Sequence, residues 1–240
     1  MSVVELVRNS AGMRIVGEDG KEDTLRLLAP ATADEVAALE ALLPCAIPAH
    51  VRDLLALTRG FANGPLEAVD FGGVAGGFGM EDMFPHALAL AHDGFGNYWI
   101  ADLQPDSADW AAIYFASHDP PVIAFQSRSL EHFVTELLRL AAAPHDSELA
   151  TVRDRVTTDI WRDDPGRISV RTAASGDDRV LRTFAQSLDD SYTIFDLRTG
   201  RIGDGFAWGR YGARTKVVRH GREAIFAYQA KSRWQRLLGR

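Results

Sequence analysis

Between residues 30 and 143 the chain runs helix, helix, strands, helix, and that order limits the fold more than any other feature of it. Thr32 is placed as an N-cap, with Glu35 three residues on as its capping-box partner. Val36, Leu39, Leu42 and Leu43 then recur at helical spacing until Pro44 stops the run. Ile47-Pro48 opens a second helix, AHVRDLLALTRG, with apolar Val51, Leu54, Leu55 and Leu57, and Gly60 is placed to close it. Residues 61–80 read as a glycine-rich loop, and a Met/Phe/Pro-rich segment follows. Two strands come next, YWIADL and AAIYFAS, joined by QPDSADW, and then a third, PVIAFQS, after the diproline at 120–121. Ser129 caps LEHFVTELLRLAAA, with Phe133, Leu137, Leu138 and Leu140 on its buried side, and Pro144 ends it. The order implies an α+β fold, with helices packed on a mostly antiparallel sheet.

The flanks read differently. Residues 1–29 are expected to form a β extension, from the pieces MRIV and TLRLL around an Asp19-Gly20 turn signal. SELATVRDRVTTDIW looks helical. From residue 167 the pattern is β: RISVRT, YTIFDL, GFAWG, TKVVR and AIFAYQ, with turn signals at Thr199-Gly200 and His220-Gly221, and a short amphipathic SRWQRLL at the end. The expected division is therefore an α+β domain over residues 1–145 and a smaller β-rich subdomain over 146–240.

Charge follows the same division. Residues 1–145 hold 8 Lys/Arg against 20 Asp/Glu, a balance of −12, whereas residues 201–240 hold 10 against 2, or +8. An acidic body with a basic tail offers two surfaces for two kinds of partner, or a tail that docks on its own body. The lone Cys45 allows no internal disulfide and suits a reducing compartment. No stretch approaches the ~20 apolar residues that span a bilayer, and no signal-peptide pattern opens the chain. These features lead to the expectation of a cytoplasmic protein without a membrane partner.

The stretch AHDGFGNYWIADL, residues 91–103, is the first candidate for chemistry. A dinucleotide fingerprint needs a third glycine and a following helix; here a strand follows. GGVAGGFG lacks the Gly-Lys-Ser/Thr of a phosphate loop, and the spacing of Asp93 and Asn97 does not suit a calcium loop. Gly94 and Gly96 can instead take positive φ, while Asp93 and Asn97 bond nearby backbone, so the turn delivers Trp99 to the sheet in register. Cys45 has no basic neighbour in sequence to activate it and reads as a buried, inert thiol. His118-Asp119 is the most suggestive titratable pair, since Asp can orient an imidazole, but both residues also suit a turn at a strand end. Glu81-Asp82 and Asp163-Asp164 read as solvated. The expectation is no catalytic residue, no metal and no cofactor. The alternative is a small-ligand or enzymatic cleft near Asp93, Asn97, His118 and Asp119. In the tail, Trp208, Arg210, Tyr211, Arg214, Arg233 and Trp234 interleave cations with rings, a pattern that binds single-stranded nucleic acid or an acidic face. An aromatic core with a basic outer side gives the same alternation and is preferred, which disfavours nucleic acid as a partner.

Four segments together resemble the SUKH superfamily, which includes the yeast cell-wall assembly regulator domain and many bacterial immunity proteins. They are DEVAALEALL with IPAHVRDLLALTRGFANG, then HDGFGNYWIADL, then IYFASHDPP, then SLEHFVTELL, in order between residues 30 and 143. The resemblance implies a SUKH-like sheet flanked by helices. It also implies a protein-binding module rather than an enzyme, of the kind that binds a toxin, commonly a nuclease, and blocks it. An acidic domain suits such a basic partner.

Overall fold

A computed structural model describes residues 2–17, 20–107, 109–212 and 215–229. Its centre is a meander in which each of β3 to β8 pairs antiparallel with the next. After α1 (Val3–Ser10), the hairpin β1 (Arg14–Val16) and β2 (Glu22–Thr24), α2 (Ala33–Leu42) and α3 (Ala49–Leu57), the chain lays down β3 (Gly60–Phe61), β4 (Ala68–Asp70), β5 (Ala87–His92), β6 (Tyr98–Asp102), β7 (Ile113–Ser117) and β8 (Val122–Ser127). Then come α4 (Leu130–Ala141), α5 (Glu148–Thr151), a π-helical segment Val152–Val156 and α6 (Thr157–Asp163). The remainder is β9 (Ile168–Ser169), α7 (Val170–Ser175), α8 (Arg179–Gln186), β10 (Tyr192–Asp196), β11 (Gly205–Phe206), β12 (Val217–Arg219) and β13 (Ile225–Gln229). Two larger sheets result, ordered β11-β8-β7-β6-β5-β4-β3 and β12-β13-β10-β9.

Strand periodicity separates the faces of the seven-stranded sheet. Trp99, Ala101, Ile113, Phe115, Val122 and Ala124 point to one side, where α1, α3 and α4 cover them with Val7, Val51, Leu54, Phe133 and Leu137. Ile100, Tyr114, Ala116, Ile123 and Phe125, with Phe206 of β11, point to the other, where Phe195, Phe226 and Tyr228 of the four-stranded sheet cover them. The four-stranded sheet then turns Ile194, Ile225 and Ala227 outward under Phe184, Ala185 and Val170 of α7 and α8. Four layers follow: helices, sheet, sheet, helices. Because both faces of the central sheet are covered, β7 and β8 are buried along their whole length instead of alternating.

The expected α+β fold with antiparallel sheets is what the chain adopts. Several local expectations are corrected. The N-terminal segment opens on a helix, not a β extension: Ser2 and Glu5 form a capping box ahead of Val3 and Val7, which are buried. TLRLL contributes only its first residue to β2 and an isolated bridge from Leu27 to Phe61. Gly60 does not cap α3, which ends at Leu57; it lies in β3, where a Cβ would sit 2.0 Å from the Val69 carbonyl oxygen. Residues 61–80 are not all loop: β3 ends there and β4 lies within it, and β5 follows before YWIADL. RISVRT is a strand for two residues and then a helix, because Ser169 accepts from the Thr172 N–H as an N-cap. Asp178 caps α8 in the same way. Residues 146–229 thus hold more helix than strand. His220-Gly221 does turn the β12–β13 hairpin, whereas Thr199-Gly200 links strands of two different sheets. Asp19 and the SRWQRLL segment lie outside the described residues.

Candidate functional site

The 93–97 turn is held by its own polar side chains. Asp93 Oδ1 accepts from the N–H groups of Phe95 (2.9 Å) and Asn97 (3.3 Å), and Asn97 Nδ2 donates to Asp93 Oδ2 (2.6 Å). Asn97 Oδ1 accepts from the His118 N–H at 2.8 Å, tying this turn to the one between β7 and β8. Gly94 and Gly96 sit at φ 82° and 87°, which a side chain would strain. Trp99 is fully buried, its ring 4.7 Å from Phe115 and its Nε1 donating to Gln126 Oε1. His118 and Asp119 are exposed, and among the described residues no hydrogen bond or ion pair joins their side chains. Among the described residues no group of three or more His, Cys, Asp or Glu side chains is placed to hold a metal ion. What the turn presents outward is Phe95, 84% exposed at its tip.

Of the candidate basic and aromatic residues of the tail, Trp208, Arg210 and Tyr211 are described, and all three pack against the protein. Trp208 Nε1 donates to the Ser117 carbonyl at 3.2 Å. Arg210 Nη2 donates to the carbonyls of Ile160 (3.0 Å) and Trp161, at the C-terminal end of α6 where the helix dipole favours a cation, and its guanidinium lies 5.5 Å over the Trp161 ring. Its Nε is 3.5 Å from Asp164 Oδ2. Asp164, expected to be solvated, is 3% exposed and accepts from the Tyr228 hydroxyl. Burial, and then that hydrogen bond to the carboxylate, push the Tyr228 phenol far above its ordinary range. Tyr211 packs edge-on to Tyr228. Arg214, Arg233 and Trp234 lie outside the described residues. Glu81 is likewise engaged, its Oε1 accepting from the N–H groups of Phe78 and Gly79.

Two features were not singled out from sequence. The first is a buried ion pair between the two sheets. Arg219 on β12 meets Asp102 on β6 through two hydrogen bonds of 2.6 and 3.0 Å, with side chains 7% and 4% exposed. Arg219 also donates to the carbonyls of Met83, Arg222 and Glu223 and lies 5.4 and 5.3 Å over the rings of Phe84 and Phe226. A basic residue of the tail does dock on the acidic body here. The second is α2. Of Val36, Leu39, Leu42 and Leu43, only Leu39 is buried, and Leu42 is 84% exposed. Beside α2 runs an apolar groove of about 240 Å³, lined by Val36, Ala38, Leu39, Leu42, Leu55 and Gly72 among others. At its rim Arg59 bridges Glu35 (2.9 Å) and Asp70 (2.6 Å). The signal was present in ADEVAALEALL, which is apolar on all sides of a helix.

Residues 30–136 match the SMI1 / KNR4 family (SUKH-1). Neither the curated proteins nor the solved structures contain a match to this chain. No described helix is long and apolar enough to cross a membrane.

Proposed function

We propose, on the premise that residues 30–136 form a domain of the SMI1 / KNR4 family (SUKH-1), that the chain is a non-catalytic protein-binding module of the immunity type, which binds and neutralises a toxin in the cytoplasm. The observation that carries this reading is Phe95. A ring 84% exposed adds nothing to the core, yet a turn fixed by Asp93, Asn97 and two positive-φ glycines holds it in place. An exposed aromatic carried on a fixed backbone is the kind of group that anchors interfaces, because no backbone freedom need be lost on binding. Glu67 lies against Gly94, and Asp93 and Asp119 flank the turn, so the surroundings favour a basic partner such as a nuclease that attracts phosphates. The geometry does not favour a small-ligand or catalytic cleft at the same place, since Asp93 and Asn97 spend their polar atoms on the turn itself.

The test is binding to the product of a toxin gene adjacent to this chain's own gene, by calorimetry with the full chain. Binding is expected, with Phe95→Ala weakening it by at least about tenfold and leaving the melting temperature unchanged. A toxin neighbour that is neither bound nor inhibited, or the absence of any such neighbour together with no recovered protein partner, would reject the reading.

A further inference from the structure

Helix α2 departs from the usual logic of a surface helix. Seven of its ten residues are apolar (Ala33, Val36, Ala37, Ala38, Leu39, Ala41 and Leu42), yet Leu39 alone is buried. A helix apolar on all sides is ordinarily found inside a protein. Here α2 lies on the outside, and the packing that holds it comes from Leu39 and the half-buried Val36 against the core and from polar ties at its ends. Thr32 and Glu35 form the N-terminal capping box, Arg59 pairs with Glu35, and Arg52 pairs with Glu40. The exposed stripe Asp34, Ala38, Ala41 and Leu42 borders the groove over Leu39, Leu55 and Gly72. Its small residues let another backbone approach closely. Its volume, about 240 Å³, exceeds the ~150 Å³ that accepts a benzene ring, so a Leu or Phe side chain fits.

We infer that the α2 groove is a second docking site, taking a segment of another protein that carries a large apolar side chain beside Lys or Arg. The charge of the rim selects that class. Glu35 and Asp70 set two carboxylates against the single guanidinium of Arg59, which leaves one negative charge in excess. A cation next to the apolar anchor completes that balance, and an acidic flank opposes it. A second copy of the chain is a poorer occupant. Its own α2 would bring Asp34, Glu35 and Glu40 against the same carboxylates. A face ten residues long also falls well short of the ~800 Å² per partner of a standard interface.

The site lies apart from the Phe95 turn, so it can be tested without the toxin. The probe is the peptide acetyl-Lys-Phe-Leu-Arg-amide, titrated into the full chain while backbone amide shifts are followed by NMR, with acetyl-Glu-Phe-Leu-Glu-amide as the control. Saturable shifts are expected at Ala31, Ala38, Leu42 and Gly72 with the basic peptide, at least about tenfold weaker with the acidic one. Ala38→Lys, at an exposed helical position, should weaken the basic peptide by a similar factor while leaving the other amide shifts in place, and Phe95→Ala should change nothing. Shifts that fall elsewhere, equal response to both peptides, no saturable response, or an unaffected Ala38→Lys variant would each overturn the inference. Concentration-dependent mass by light scattering, abolished by Ala38→Lys, would overturn it in favour of a second copy.

Discussion

The Asp102–Arg219 pair makes the sharpest demand on the fold, and replacing Asp102 by Asn tests it. The pair joins β6 of the seven-stranded sheet to β12 of the four-stranded sheet, both side chains more than nine-tenths buried. The substitution keeps size and one acceptor but places an amide N–H₂ where Arg219 Nη2 now donates at 2.6 Å, so two donors face each other. Arg219 retains its bonds to the Met83, Arg222 and Glu223 carbonyls, but its charge loses its counter-ion away from water. Leaving one member of a buried pair uncompensated costs about 3–5 kcal/mol. Against a total of ~5–15 kcal/mol, that is a large fraction of the stability. At ~2–4 °C per kcal/mol for a chain of this size, the melting temperature should fall by roughly 10 °C. Urea denaturation of the full chain measures it. The double variant Asp102→Leu with Arg219→Met should recover most of the loss, because it removes both desolvated charges and keeps the bulk between Phe84 and Phe226. High salt should change the wild-type stability little, since a buried pair is weakly screened. A loss below ~1 kcal/mol for Asp102→Asn would mean that the two sheets are held by their aromatic contacts alone, and the reasoning about the pair would fail.

Gly60→Ala should destabilise severely, by more than ~3 kcal/mol in the same assay, because its Cβ would fall 2.0 Å from the Val69 carbonyl oxygen and part β3 from β4. Thr32→Ala removes the acceptor for the Glu35 N–H and should cost about 1 kcal/mol, read by denaturation. Stability should also decline in acid. Thr32 lowers the pKa of Glu35, Arg52 that of Glu40, Arg198 that of Asp178 and Ser191 that of Asp189, so each contributes above its unfolded pKa and loses that contribution as pH falls through its lower folded one. Denaturation midpoints that do not drop between neutral pH and pH ~3 would contradict this. Burial raises the Cys45 thiol, so less thiolate is present at a given pH, and its reaction with a disulfide reagent near pH ~8 should be slower in the native chain than in urea.

How far the sequence could be read depended on whether the deciding interaction was local. Thr32 with Glu35 and Ser129 with the His132 N–H are contacts within one helical turn, and both caps stand where spacing placed them. The bonds of Asp93 within the 93–97 turn are equally local, reaching only Asn97 and the adjoining backbone, whereas the bond from the His118 N–H to Asn97 Oδ1 spans 21 residues and has no local mark. Helix α7 was hidden because RISVRT has β-branched residues at strand spacing; the N-cap Ser169, and the packing of Val170 and Ala173 under Ile194, overrode that propensity. Arg219 with Asp102 is separated by 117 residues, and no local pattern marks which of ten basic residues in the tail will be buried. Leu42 misled in the opposite sense: a correct helical period says which residues share a face, not whether anything covers that face.

The placement of the C-terminal part bears directly on where partners can bind. The family match ends at residue 136, yet the sheet it describes gains β11 as its edge strand from residues 205–206, and a Cβ at Gly205 would collide with the Ile123 carbonyl oxygen at 2.1 Å. The face carrying Ile100, Tyr114, Ala116, Ile123 and Phe125 is closed by Phe195, Phe206, Phe226 and Tyr228. In a chain ending after α4 that face would be an open apolar surface, large enough to demand a partner or to aggregate. In this chain it is core, so a partner is left with the ends of the strands and the outer helices, where Phe95 and Leu42 are the two most exposed large apolar side chains among the described residues. They project from opposite ends of β5, because Phe95 lies three residues past its last residue while Gly73, three residues past β4 and next to Gly72 of the groove, lies against Leu88 near its first. At ~3.4 Å per residue a six-residue strand sets them roughly 20 Å apart. One small partner seated on one site therefore leaves the other free, and a binding loss from Phe95→Ala should add to one from Ala38→Lys if a single large partner spans both.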